Sequence, residues 1–238
     1  MVNGKGIIIK AENVWKEYKR GREIVDALRD INLEVARGEF LVVIGPSGSG
    51  KTTLLNVLSG LDRPSKGKVV LDDMDLTAID ERLLPKIRRE KVGFVFQDFN
   101  LISNLTAAEN VMAPLLPTDL KTKEIERRAT EIIRLVGLID RKDHLPKQLS
   151  GGEQQRIAIA RALVNEPKVV FADEPTGNLD SSTGMEIMKL LQQLNKKKGT
   201  TFVVVTHDEN LIQFADRVVH LRDGEIRSIE DKSKRIKR

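Results

Sequence analysis

Four short runs along the chain are apolar without alternation: residues 40–44 (Phe-Leu-Val-Val-Ile), 92–96 (Val-Gly-Phe-Val-Phe), 168–172 (Lys-Val-Val-Phe-Ala) and 201–205 (Thr-Phe-Val-Val-Val). Strands of this kind have no face for water. They predict a parallel sheet covered on both sides, as in α/β proteins. The first run meets Gly45-Pro-Ser-Gly-Ser-Gly50 and then a helix-like stretch over 51–59, which reads as strand, tight turn, helix. Upstream, residues 6–11 and 24–35 are β-rich. After Gln97 the period changes. Ile125, Ala129, Ile132, Ile133 and Val136 fall on one helical face, with Lys, Glu and Arg opposite. The pattern predicts one domain, 1–238, with an α/β core and β-rich part over 1–96 and 167–228. A helical insertion covers 97–166, and a basic tail covers 229–238.

With 238 residues, 40% of them hydrophobic, the chain can bury a sizeable core. It has no cysteine, which excludes disulfides, thiolate metal sites and thiol nucleophiles; three histidines are few for a metal site. Residues 1–20 show no apolar run before a small-residue cleavage site, so no export signal is expected. The apolar runs are far shorter than the roughly 20 residues that span a bilayer. The net charge of +5 comes from Lys232, Lys234, Arg235, Lys237 and Arg238, since the remaining 35 basic residues balance 35 acidic ones. One Trp, one Tyr and seven Phe supply few stacking platforms, which argues against a nucleic-acid partner. The tail fits a solvated terminus or attraction to anionic lipid or to a partner.

Gly45-x-x-x-x-Gly50-Lys51-Thr52 is a P-loop pattern placed after a strand and before a helix. Its glycines let successive N–H groups converge on phosphate, and the helix start adds its positive dipole end. Nucleotide is expected against Gly45, Pro46, Ser47, Gly48, Ser49, Gly50, Lys51, Thr52 and Thr53. Lys51 supplies a mobile charge to the β- and γ-phosphates, and the Thr52 hydroxyl is a ligand for Mg²⁺. Strand 168–172 ends in Asp173-Glu174, at the carboxyl edge where open α/β sheets bind ligands. Asp173 is suited to hold Mg²⁺ and Glu174 to polarise the attacking water.

Leu149-Ser150-Gly151-Gly152-Glu153-Gln154 is not explained by a general P-loop enzyme. It resembles the signature motif of ABC transporter ATPases, with Glu153 where that family commonly has Gln. Ser-Gly-Gly at the start of a helix expected to run to Asn165 makes a second anion-binding helix terminus. The resemblance covers about residues 6–228. It implies an α/β fold with a P-loop NTPase (RecA-like) core, an N-terminal β-rich subdomain and an inserted α-helical subdomain. It also implies that Tyr18 stacks on adenine and that Gln97 touches Mg²⁺ or the attacking water and signals to a membrane partner. Asp180 then lies in a loop that crosses to the opposite subunit, and His207 contacts the γ-phosphate. Catalysis is assigned to Glu174, His207, Lys51, Gln97 and Ser150, and metal binding to Thr52, Gln97 and Asp173. Residues 173–181 and 94–102 further resemble the lipoprotein-release, macrolide-export and antimicrobial-peptide-export group.

The family further implies ATP and Mg²⁺ as cofactors and an ATP-dependent homodimer, or a heterodimer with a similar subunit. Transmembrane permease subunits are the expected partners, at the cytoplasmic face of the cell membrane. A soluble ABC ATPase without a membrane partner is the alternative. A GTPase would need Asn-Lys-x-Asp, and the near match Asn195-Lys-Lys-Lys198 lacks the carboxylate. A small-molecule kinase would have no use for the Ser150 motif or His207.

Overall fold

The computed structural model describes residues 6–21 and 23–232. β1 (Ile7–Arg20) and β2 (Glu23–Ala36) form an antiparallel hairpin longer than the β-rich runs at 6–11 and 24–35. Residues 16–20 contain little apolar pattern. They become strand because each faces a ladder partner, from Lys16↔Leu28 to Tyr18↔Val25 and Arg20↔Glu23. β3 (Phe40–Ile44) follows, and the glycine-rich turn leads into α1 (Lys51–Leu58). β4 (Lys66–Leu71) returns to the free edge of β1 and pairs with β5 (Met74–Asp75), completing a sheet of order β2-β1-β4-β5.

α2 (Leu84–Lys91) enters β6 (Val92–Val95), after which α3 (Ala107–Met112), α4 (Thr122–Leu135) and α5 (Gly151–Leu163) precede β7 (Val169–Asp173). The chain continues through α6 (Ser181–Lys198), β8 (Thr201–Thr206), β9 (Arg217–Arg222) and β10 (Glu225–Asp231). The second sheet has the order β10-β9-β3-β8-β7-β6, parallel except for β10. β6 stops one residue before Phe96. α5 ends at Leu163, short of Asn165, where the Glu166 N–H turns back onto the Leu163 carbonyl at 2.9 Å. β9 carries too many polar residues to be read as a buried strand. Its Arg217 is neutralised inside the fold by Glu39, with Nε to Oε1 at 2.6 Å. Residues 229–231, expected to begin the tail, instead pair with Val219, Val218 and Arg217. The Lys232 N–H donates to the Asp216 carbonyl at 2.9 Å, and residues 233–238 lie outside the described residues.

The unbroken apolar strands are explained by two cores, one on each face of the parallel sheet. Phe40, Val42 and Ile44 of β3 belong to one core with Phe202 and Val204 of β8; Leu41 and Val43 belong to the other with Val203 and Val205. Successive strand side chains point to opposite faces, so a strand buried on both must be apolar at every position. The stripe Ile125, Ala129, Ile132, Ile133 and Val136 is buried in the first core with Val111 of α3 and Ile157 of α5. That helical layer packs onto the sheet edge with no room to spare. A Cβ at Gly93 of β6 would stand 2.2 Å from the Ala162 carbonyl oxygen of α5. Gly93→Ala is therefore expected to destabilise by about 1–3 kcal/mol through overpacking. Urea unfolding checks it, by a lower midpoint at unchanged slope.

Candidate functional site

The phosphate-binding loop is shaped by its neighbours in the sheet. A Cβ at Gly45 would lie 2.1 Å from the Leu221 carbonyl oxygen of β9, so only glycine fits where β3 leaves the sheet. Gly50 has φ 99°, a left-handed angle open chiefly to glycine, and it starts α1 with no side-chain cap and no acidic residue in the first turn. The first N–H groups of α1 are thus left for an anion. Lys51 is buried, and its Nζ folds back to donate to the carbonyls of Gly45 at 2.8 Å and Pro46 at 3.0 Å. An open cavity of about 430 Å³ borders Gly48, Gly50, Lys51, Thr52 and Thr53, with Val25 of β2 on its wall.

β7 carries Asp173 to the same place. The Thr52 hydroxyl donates to Asp173 Oδ1 at 3.2 Å, joining two residues 121 apart in sequence. Burial raises the Asp173 carboxyl above its ordinary range, and the adjacent Glu174 adds to this; Thr52 and the Lys51 charge oppose it. A cation at this point would relieve the desolvated carboxylate. Among the described residues no cluster of three or more His, Cys, Asp or Glu could hold a metal by itself. One hydroxyl and one carboxylate still fit Mg²⁺, which takes few protein ligands and completes its shell with water and substrate phosphates.

Glu174, one residue on, has φ 44°, a left-handed backbone that costs a non-glycine residue roughly 1–3 kcal/mol. Three contacts hold it there. Thr206 Oγ1 donates to Oε2 at 3.0 Å, the His207 N–H donates to Oε2 at 3.4 Å, and His207 Nδ1 lies 2.9 Å from Oε1. The exposed Gln97 side chain donates from Nε2 to Asn178 Oδ1 at 3.1 Å, and Asn178 Nδ2 donates to Asp98 Oδ1 at 2.7 Å. Tyr18 is 40% exposed at the register position opposite Val25. Its hydroxyl donates to Asp62 Oδ2 at 2.8 Å, while Lys16 Nζ lies 4.9 Å from the ring centroid and 2.6 Å from Asp62 Oδ1. Partial burial, then Asp62, raises the phenol above its usual range.

The fold therefore gathers Lys51, Thr52 and Asp173, sets Glu174 against His207, and leaves other expected residues apart. Ser150 caps α5, accepting from the Glu153 N–H at 3.2 Å, while Glu153 Oε2 accepts from the Ser150 N–H at 2.8 Å. Glutamate serves this capping box as glutamine would, which accounts for the departure at Glu153. Its carboxyl is held below the usual range, chiefly by that N–H. Asp180 caps α6 through the N–H groups of Ser182 and Thr183, both at 3.0 Å, and the hydroxyls of the same two residues, followed by these N–H groups, depress its carboxyl strongly. Among the described residues, no hydrogen bond joins Ser150, Gly151, Gly152 or Asp180 to residues 45–53 or 173–174. No local pattern marks Asn178, Thr206 or Asp62, whose partners lie 81, 32 and 44 residues away.

The family model for ABC transporters matches residues 28–177. MJ0796, an uncharacterized ABC transporter ATP-binding protein of Methanocaldococcus jannaschii, is 51% identical over 223 residues, 92% of this chain and 95% of that protein. LolD, the ATP-binding protein of the lipoprotein-releasing system of Legionella pneumophila, is 44% identical over 220 residues, 92% and 97% of the two chains. A dimeric structure of MJ0796 in a post-hydrolysis state, bound to ADP and Pi, aligns with a TM-score of 0.86 at 48% identity, covering 94% of this chain and 98% of that one. The structure of cbiO1 from Clostridium perfringens, part of the ABC transporter complex cbiONQ, aligns with a TM-score of 0.85 at 32% identity, covering 98% and 91%. Likeness of this depth, in sequence and in fold together, places the chain in the ABC transporter family as one of its ATP-binding cassettes, an ATPase built on the α/β P-loop NTPase fold.

Proposed function

We propose that two copies of this chain, or this chain and a similar subunit, close head to tail around two ATP molecules and drive export by separate transmembrane subunits. The observation that carries the reading is the strained Glu174, held by Thr206 and His207 one residue beyond the Asp173–Thr52 pair. MJ0796 as a dimer and cbiO1 as part of a transporter complex support the assembly. The likeness to LolD supports export or extrusion of a lipoprotein or peptide. Among the described residues no helix is long and apolar enough to cross a membrane. The chain then sits at the cytoplasmic face of the membrane through its partners, with residues 97–166 as a helical subdomain toward them.

In this reading Lys51 leaves the Gly45 and Pro46 carbonyls for the β- and γ-phosphates, which enter the loop 45–53, and adenine stacks on Tyr18. Thr52, Asp173 and Gln97 hold Mg²⁺, which supplies positive charge against the phosphate oxygens. Glu174 orients a water and accepts its proton as the water oxygen attacks the γ-phosphorus and the bond to ADP breaks. His207 meets the γ-phosphate. Ser150, Gly151 and Gly152, with Asp180 nearby, approach the same phosphate from the opposite chain, which explains why one chain leaves them apart from its own loop.

Glu174→Gln is expected to bind ATP within about threefold of wild type while kcat falls at least ~100-fold, the usual worth of a general base. Lys51→Ala instead weakens nucleotide binding, and isothermal titration beside steady-state turnover separates the two. Near-normal turnover by Glu174→Gln would remove the base assignment. Glu153→Gln keeps the cap of α5 but removes a negative charge from the phosphate-facing helix start. In the Glu174→Gln background it should tighten the ATP-bound dimer by about 2- to 5-fold at low salt. Sedimentation at high salt should erase the gain.

Mixing chains tests the shared site. Lys51→Ala and Ser150→Arg each break both sites of their own homodimer, whereas a mixed dimer retains one site with Lys51 and Ser150 intact. Random pairing makes half the dimers mixed, so turnover is expected to recover to roughly a quarter of wild type for independent sites. Verified mixed dimers with neither hydrolysis nor occluded nucleotide above the separate variants would rule the composite site out.

A further inference from the structure

Helix α5 carries one polar side chain that is wholly enclosed, and among the described residues no side-chain hydrogen bond joins it to Ser150 or to residues 45–53. Gln155 is 0% exposed, and its Nε2 donates to the carbonyl of Phe96 at 3.3 Å and to that of Pro175 at 2.5 Å. Phe96 is the residue before Gln97, and Pro175 is the residue after Glu174. One amide group therefore grips both loops that carry the proposed water-handling residues. Its Oε1 is buried without a hydrogen-bond partner among the described residues. An apolar side chain of similar length would fill the space but leave the Pro175 carbonyl without this donor, so the amide serves here as a link between the two loops.

The same helix holds the Gln97 loop at a second point. Arg161 donates to the carbonyls of Phe99, at 2.8 Å, and of Asn100, and both of these residues have left-handed φ angles, 59° and 49°. At its start, α5 abuts α6 so closely that a Cβ on Gly152 would lie 2.6 Å from Thr183 Cγ2. A helix of 13 residues moves as a unit, so any shift of Ser150 is passed to Gln155 and Arg161.

We propose that Gln155 is a positioning residue that fastens the Gln97 and Glu174 loops to the helix presenting Ser150, so that phosphate held at Ser150 sets the placement of both. The inference rests on the roles proposed above for Ser150, Gln97 and Glu174. In a head-to-tail dimer, Ser150 serves one nucleotide while Gln97 and Glu174 of the same chain serve the other. Gln155 thus lies on the mechanical path between the two sites.

The test uses the full-length chain, with Mg-ATP as the probe. Gln155→Met keeps length and volume but supplies no donor, so the two carbonyls lose their common anchor. A misplacement well under 1 Å at Glu174 is enough to lower turnover, and kcat is expected to fall about tenfold or more with KM for ATP within threefold. Adding Gln155→Met to Gln97→Ala should cost at least threefold less than adding it to wild type, because both act on the same placement. Gln155→Glu, whose buried neutral carboxyl keeps one donor, is expected to lose kcat alone and by less. It serves as the test if the Met variant does not fold. A folded variant with kcat within twofold of wild type, or a loss strictly additive with Gln97→Ala, overturns the proposal and leaves Gln155 a packing residue. Should Gln97→Ala and Glu174→Gln themselves turn over normally, the site roles fail and this inference falls with them.

Discussion

The burial of β3 on both faces governs the whole phosphate end of the molecule, because a strand enclosed by β8 and β9 and by two cores has one direction in which to leave the sheet. At Ile44 the ladder ends, and at Gly45 the Leu221 carbonyl of β9 stands where any side chain would begin. The chain must turn tightly on bare backbone, and turning on bare backbone is what aims N–H groups at a common point. The same enclosure ends β7 and β8 at the same edge, where Asp173 meets Thr52 and Glu174 meets His207. Chemistry collects there because it is the carboxyl rim of the parallel strands, where open α/β sheets place their ligands.

The groups at that rim are restrained, and each restraint has a cost that ligand can offset. Lys51 satisfies its charge on two loop carbonyls, a poorer partner than phosphate oxygens. Asp173 is desolvated, offset by the Thr52 hydroxyl and the Lys51 charge, and Glu174 is kept in a left-handed backbone by Thr206 and His207. Strain of this sort persists only where surrounding contacts over-determine it, and here they come from two neighbouring strand ends. Ser150 and Asp180 present the complementary case. Both are helix caps with unstrained φ angles of −62° and −65°, and among the described residues no hydrogen bond joins them to the chain's own loop.

Local pattern carried far in this chain. Apolar runs without alternation marked the inner strands, the 3.6-residue stripe marked α4, and Gly45 to Thr52 marked the phosphate loop, because in each case the determinants are contiguous residues acting through backbone geometry. The Asp173-Glu174 pair and the Ser150 cap were legible for the same reason. Strands β4, β9 and β10 were not, since Lys66, Lys68, Arg217 and Glu230 read as surface residues until a neighbouring strand supplies the ladder and Glu39 neutralises Arg217.

What the sequence by itself determined was the elements that bear the chemistry: a glycine-rich turn between a buried strand and a helix, two carboxylates after a buried strand, and a second helix start capped by Ser150. Tertiary structure alone decided which groups hold these in place. Asn178 meets Gln97 across 81 residues, Tyr18 meets Asp62 across 44, and Gln155 spans to Phe96 and Pro175 across 59 and 20. None of these pairs has a spacing or a composition that marks it, because a hydrogen bond between remote residues depends on where the sheet order and helix packing bring two backbones. Only the folded core fixes that.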